Sequence, residues 1–194
     1  MNLADDLASM VGVWHDHLTA HAPDGAEIVD DVHGGVPGPF PYDNLVYVDF
    51  DRATGEYRQT NVAFRGRDPH VRTFEADVTD GVLRFRRLGP EAPHHVGISA
   101  GPGLIWFVSE SVLDEGLTRY CEPDFITVHG DTRTRDTVLW RHGALARTLH
   151  VDGTRLSTDT SRRHELDPRG PGHASHEARS TTTHYLSTTE QEPR

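Results

Sequence analysis

From Val13 onward the chain is a succession of short runs with a period of two, each closed by a turn rich in glycine, proline or aspartate. Successive side chains on a strand point to opposite faces, and closely spaced turns make consecutive strands neighbours. The turns include Pro23-Asp24-Gly25, Asp51–Gly55, Asp80-Gly81, Gly143 and Asp152-Gly153, with Asp-Gly a favoured hairpin dipeptide. The expected strands are Val13–His21, Ala26–His33, Leu45–Phe50, Glu56–Phe64, Val71–Val78, Val82–Arg87, His94–Ser99 and Leu104–Ser109. They continue with Leu117–Cys121, Phe125–Gly130, Asp136–His142, Leu145–Val151, Thr158–Leu166 and Ala178–Thr188. Gly34–Asp43 reads as a long Gly/Pro loop, 167–177 as a polar loop and 189–194 as a frayed tail. This pattern predicts an all-β, up-and-down antiparallel barrel, because closure removes the edge strands that a long meander would expose. One domain over 1–194 is expected.

Only Asn2–Met10 reads as a helix, within an N-terminal segment 1–11. Leu3, Leu7 and Met10 share one face, Asn2 can cap it, and Asp5 and Asp6 suit the positive end of its dipole. All 19 basic residues are arginine, and 30 acidic residues bring the formal charge to −11. That balance argues against general nucleic-acid binding, which needs a basic footprint. A single cysteine excludes an intramolecular disulfide framework and any Cys-rich zinc site. Apolar runs such as Leu104–Val108 are far short of the ~20 residues of a membrane-spanning helix. With no basic and apolar leader in view, a cytoplasmic location is expected.

A short helix followed by Gly12-Val13-Trp14 at the start of the first strand resembles the Gly-x-Trp opening of the calycins, the lipocalins and fatty-acid-binding proteins among them. The resemblance implies a barrel whose lower end is closed by Trp14, with a basic residue from a late strand packed across it; Arg147 is the candidate. A closer resemblance is to the DUF3598-type bacterial proteins, through Gly12-Val13-Trp14-His15, the Pro23-Asp24-Gly25 turn and Tyr57-Arg58-Gln59. That family implies no catalytic set. Haem-binding calycin barrels of the nitrobindin type open with Gly-x-Trp-x-Gly-x-Gly and use a histidine in a C-terminal strand. Here His15, Asp16 and His17 follow Trp14, and His184 is the late-strand histidine. Haem is therefore only a minor alternative to having no cofactor.

Several side chains could line a ligand pocket. Trp14, Trp106 and Trp140 are core plugs or flat apolar walls. Tyr57, Gln59 and Asn61 share one strand face, which is either an outer wet face or a polar stripe in a cavity. Tyr120 and Arg147 complete the expected ligand-binding set. Glu110 with His142 or His150, and Tyr57, are the candidates for proton transfer, given a water-poor pocket. Glu110 and Asp16 are the carboxylates that alternation could turn inward, while turn acids such as Asp24, Asp51 and Asp80 form a solvated shell.

No specific metal site is expected. His15 and His17 share a strand face, but no histidine pair forms the His-Glu-x-x-His signature on a helix. Cys121 lacks an activating context. Phosphate-binding, dinucleotide-binding and nucleophile-elbow motifs are absent. The expected function is cofactor-independent acid–base catalysis, of cyclase, isomerase or lyase type, on a small, partly apolar specialised metabolite. The alternative is a non-catalytic carrier of a small hydrophobic ligand or haem. The expected partner is a small molecule, with neither nucleic acid nor membrane, and a homodimer is open.

Overall fold

The chain begins with a reciprocal cap. The Asp5 amide donates to Asn2 Oδ1 at 3.1 Å, and the Asn2 amide donates to Asp5 Oδ2 at 3.3 Å. Two orphan donors are thus satisfied and α1 (Leu3–Met10) is set. In this computed structural model the described residues are 2–33, 36–65, 68–86, 94–109, 122–141 and 143–162.

Among the described residues twelve strands follow: β1 (Gly12–His21), β2 (Asp30–His33), β3 (Val36–Pro39), β4 (Tyr42–Phe50), β5 (Glu56–Ala63), β6 (His70–Thr79), β7 (Val82–Phe85), β8 (His95–Gly101), β9 (Leu104–Ser109), β10 (Asp124–His129), β11 (Thr132–Arg141) and β12 (Ala144–Ser157). A short 3₁₀ turn lies at Thr160–Arg162. Ten strands close a barrel in the order β1-β12-β11-β10-β9-β8-β7-β6-β5-β4, while β2 and β3 form a separate hairpin. Sequential neighbours pair antiparallel throughout, and β1 closes the ring by pairing with both β4 and β12. The all-β up-and-down barrel with a short N-terminal helix is therefore the fold.

Helix α1 plugs one end. Leu3, Leu7 and Met10 are buried with Trp14, Val46, Val48, Leu83, Ile105 and Phe107 in one apolar core at that end. The plug is also tied by polar contacts. Asp6 accepts from Ser99 Oγ at 2.6 Å and from the Gly103 amide at 2.9 Å, and Trp14 Nε1 donates to the Met10 carbonyl at 2.8 Å. At the opposite end Leu18, Ala20, Phe40, Tyr42, Leu149 and Val151 form a second core. A third apolar cluster, Val13, Leu45, Tyr47 and Val62, is buried on the outer face of β1, β4 and β5.

The structure corrects several expectations about the elements; the described start of the expected strand Thr158–Leu166, for one, is the 3₁₀ turn at Thr160–Arg162. Gly34–Asp43 is not a plain loop, since β3 and the start of β4 fall within it. Asp152-Gly153 is not a turn but sits inside the long β12, where Gly153 pairs with Asp16 on β1 and Arg133 on β11. A Cβ at Gly153 would lie 2.5 Å from Asp16 Oδ1 and 2.6 Å from Arg133 Cγ, so the glycine makes room for a buried ion pair. Strand β11 begins at Thr132 rather than Asp136, which turns Arg133 and Arg135 inward. The expected strands Leu117–Cys121 and Ala178–Thr188, the 167–177 loop and the 189–194 tail lie outside the described residues.

Candidate functional site

Strand register decides which side chains face the lumen. Trp14 and Asp16 on β1 oppose Val46 and Asn44 on β4, and the β4–β5 pairs place Tyr57, Gln59, Asn61 and Ala63 on the same inner face. Of the two faces considered for the Tyr57 row, the inner one is correct. Tyr57 Oη donates to Gln59 Oε1 at 2.6 Å, and Gln59 Nε2 donates to Asn61 Oδ1 at 2.8 Å. The deep end of this ladder is buried, with Tyr57 at 2% exposure, while Gln59 and Asn61 are half-buried. Burial pushes the Tyr57 phenol well above its ordinary range, so it acts as a hydrogen-bond donor rather than a proton-transfer base.

Trp14 closes the lower end, as its position in the calycin pattern implies, but Arg147 is not the arginine across it. The guanidiniums of Arg133 and Arg155 lie 4.7 Å and 4.5 Å from the centre of its ring. Arg155 stands directly opposite Trp14 in the β1–β12 register, and Arg133 is held by Asp16. That pair is forked, with Arg133 Nε to Asp16 Oδ1 at 3.0 Å and Nη2 to Oδ2 at 2.6 Å, and both side chains are nearly sealed. Asp16 is thus the inward carboxylate that alternation allowed, with the partner that burial demands.

Arg147 works at the other end. From β12 it donates to Asp31 Oδ2 at 2.5 Å, to the Val32 carbonyl at 2.8 Å and to Glu122 Oε1 at 3.1 Å. Its Nη2 also meets His33 Nδ1 at 2.9 Å. Arg65, just beyond β5, donates to the carbonyls of Asp31 at 2.8 Å and Gly38 at 2.5 Å, and lies over the rings of Phe40 and Tyr42. Two arginines therefore pin the β2–β3 hairpin across the end of the barrel opposite α1.

The lumen between these ends is polar. Asp124 on β10 and Arg135 on β11 face inward, 3.8 Å apart, and Thr137 Oγ1 donates to the Asp124 carboxylate. Burial raises the Asp124 carboxyl above its ordinary value, against the pull of Arg135 and Thr137. Glu122 goes the other way. Burial alone would raise it, but Arg147, by its charge and its hydrogen bond, and the charge of Arg135 oppose that, and the carboxyl is held below its ordinary value. Arg72 and Phe74 on β6 complete the wall beside the ladder.

His33 is neutral here, because burial lowers its imidazole to about 4, with Arg135, Arg147 and Arg65 adding to that against Glu122. Its Nδ1 therefore accepts from Arg147. A histidine depressed when folded resists the proton that the unfolded chain takes up below its ordinary value of 6.5. Stability should accordingly fall as pH drops from about 6.5 towards 4. Urea midpoints across that range would decline for the native chain and decline less for His33→Gln; equal declines would remove His33 as the cause.

The remaining expected residues separate plainly. Trp106 lies on the outer face, stacked at 5.6 Å on Phe125 with planes 9° apart, so it does not wall the lumen. Trp140 is on the face opposite the inward Leu139, also outside. His150 is outside as well, paired with Asp136 at 2.7 Å and with Asp152 at 3.4 Å, and its hydrogen bond to Asp136 raises its pKa. It is correspondingly removed from the lumen and from the catalytic set. Glu110, Tyr120 and His142, with Cys121 and His184, lie outside the described residues. His15 and His17 both approach Asp43 on the exterior, at 3.6 and 2.9 Å. Among the described residues no group of three or more His, Cys, Asp and Glu side chains is arranged to hold a metal ion, and no helix is long and apolar enough to cross a membrane. Sequence reasoning missed Asp124, Arg133 and Arg135, although Asp124-x-Ile126-x-Val128 and Arg133-x-Arg135-x-Thr137-x-Leu139 carry the alternation that turns them in.

A closed antiparallel meander with a helix under one end and a polar lumen is a calycin-like barrel. Among solved structures the chain is similar to a DUF3598-family protein of unknown function from Nostoc punctiforme, with a TM-score of 0.55 and 15% identity over 76% of this chain and 48% of that one. It is also similar to the S-type phycobiliprotein lyase of Guillardia theta, with a TM-score of 0.56 and 10% identity over 80% of this chain and 93% of that one. A third similar structure is Rv2717c from M. tuberculosis, with a TM-score of 0.51 and 17% identity over 80% and 98%. The chain spans about half the length of the Nostoc protein. No family model and no curated protein matches the chain. The likeness to the DUF3598-type barrel thus holds as a likeness of fold.

Proposed function

We propose that the barrel holds one small molecule in its lumen, with an apolar body against Phe74 and a polar edge against the Tyr57 row. The observation that carries this reading is the ladder Tyr57–Gln59–Asn61, which faces inward yet is half open at its upper end. Hydrogen-bonding groups turned into a barrel interior need a polar occupant. The similarity to a barrel named as a phycobiliprotein lyase supports a small-molecule role.

A second reading makes the barrel an enzyme, and one observation favours it. Asp124 and Glu122 are carboxyls two residues apart whose environments push their pKa values in opposite directions. Such a split suits one group to hold a proton while the other stays ionised. Cofactor-independent cyclase, isomerase or lyase chemistry on a specialised metabolite would then run from Asp124, replacing the expected His150.

Native mass spectrometry of the purified chain, with an absorbance scan, tests the first reading. One small-molecule adduct per chain is expected, either co-purified or formed with added planar aromatic compounds, and it should weaken about tenfold in Asn61→Leu. A clean apo mass under both conditions would overturn the reading. A Soret band would replace it with haem. For the enzyme, the bound molecule should be converted by the native chain and bound without conversion by Asp124→Asn.

A further inference from the structure

We infer that the lumen wall around Ala63 is a subsite for a neutral hydroxyl group, held between Asn44 on β4 and His70 on β6, and that the molecule in the barrel is a hydroxylated aromatic of two joined rings. The inference rests on the lumen-binding reading and adds the chemical class of the ligand. Strand register lines up one row across the inner face: Asp16 pairs with Asn44, Asn44 with Ala63, and Ala63 with His70. Asp16 has Arg133 as its partner, but the row beyond it is unsatisfied. Asn44 is 5% exposed, and its Oδ1 is buried with no hydrogen-bond partner among the described residues. The same holds for Nε2 of His70. Buried polar atoms are nearly always bonded, and an unbonded one costs stability. Here two of them flank a residue whose side chain is a single methyl.

The chemistry of the two atoms selects the group. Asn44 Oδ1 can only accept, so the occupant must donate. His70 is neutral, because burial, and after it the charge of Arg72, lowers its imidazole below the ordinary value. A neutral ring can carry its proton on Nε2 and donate from there. A hydroxyl satisfies both atoms, giving its one proton to Asn44 and accepting from His70. A carboxylate has no proton for Asn44, and an ammonium would meet the charge of Arg72, two residues along β6 on the same face. Strands two apart are separated by about 10 Å. The Asn44 and His70 side chains cover part of that from either side, which leaves space over the Ala63 methyl for about one oxygen. Asn61, the next inner position on β5, accepts from Gln59 on Oδ1, so its Nδ2 protons are further donors on the same wall. The length of the molecule follows from the aromatic wall. Phe74 shares the inner face of β6 with His70, about 13 Å along the strand, and meets Phe85 edge to face at 6.5 Å. Two joined rings with a terminal hydroxyl cover that span, and a single ring does not.

Biphenyl-4-ol, its methyl ether 4-methoxybiphenyl and phenol test this by equilibrium dialysis against the full chain. Biphenyl-4-ol should bind about tenfold more tightly than the ether, which keeps the rings and loses the proton, and more tightly than phenol, which loses the second ring. Asn44→Leu should abolish the preference over the ether while leaving the ether bound, which also shows that the barrel is intact. His70→Phe should reduce the same preference. Asn44→Leu should in addition raise the urea midpoint of the ligand-free chain, because it removes a buried oxygen that has no partner. A lowered midpoint would make Asn44 a folding residue and count against the subsite. Ala63→Leu, which fills the space between the two side chains, should weaken biphenyl-4-ol more than the ether. Leu156→Ser, on the exposed face of β12, should change nothing. Equal binding of biphenyl-4-ol and its ether, or a preference kept in Asn44→Leu, would overturn the subsite while leaving the lumen reading intact. Failure of all three probes would also overturn it, and together with a clean apo mass would remove the lumen reading as well.

Discussion

Replacing Asp16 by alanine should cost about 3–5 kcal/mol of folding stability, among the largest losses that a single substitution in this chain can produce. The Asp16–Arg133 pair is forked and nearly excluded from solvent. Removing the carboxylate leaves a guanidinium buried over Trp14 with no counter-charge. Much of the loss is thus the penalty of an orphaned charge rather than the worth of the pair. The double substitution Asp16→Leu with Arg133→Met, which removes both charges, should recover most of the stability. Gly153→Ala belongs to the same cycle. Its Cβ would strike Asp16 Oδ1 and Arg133 Cγ, so it should cost about 1–3 kcal/mol in the native chain. In the double variant that cost should change, because residues that share a site are not additive. Urea denaturation of the single and combined variants measures each value. An Asp16→Ala loss below about 1 kcal/mol would mean that water reaches the pair.

The fold was legible because local alternation and turn chemistry agree over most of the chain, and the same parity brought out Trp14 and the Tyr57–Gln59–Asn61 row. Parity was also enough to separate Arg147 from His150, whose positions differ by three, so one lumen face cannot hold both. Trp106 was harder. Leu104–Val108 is apolar at every position, and its period does not say which side is in. The partners of the inward arginines were not legible, since many arginines are scattered along the chain and barrel shear decides which one reaches Trp14. The Asp152-Gly153 dipeptide misled for a physical reason. A glycine that serves a turn and one that yields space to a neighbouring side chain look the same in a sequence, and only the register with Asp16 and Arg133 tells them apart.

Replacing Arg147 by methionine should free the β2–β3 hairpin while leaving the barrel folded. This one side chain joins β12 to the hairpin through Asp31, the Val32 carbonyl and His33 Nδ1, and also reaches Glu122, two residues before β10. The three hairpin contacts sit where the hairpin would otherwise be held by Arg65 and the Phe40–Tyr42 aromatics. Loss of the guanidinium removes a cation partner of Glu122, and a buried carboxylate stripped in this way costs about 2–4 kcal/mol. Lysine at this position should rescue little, since an ammonium has no planar fork with which to meet a carboxylate and a carbonyl together. Hydrogen exchange distinguishes the two levels of the effect. Amides of Asp30–His33, Val36 and Gly38 should lose protection by more than the global destabilisation accounts for, while the β1–β12 ladder should follow the global change alone. A uniform loss over both regions would show that Arg147 supports the whole barrel, not the hairpin in particular. If the hairpin is what stands between the lumen and solvent, the same variant should also speed release of a bound probe more than it weakens its affinity, because an easier opening accelerates entry and exit together.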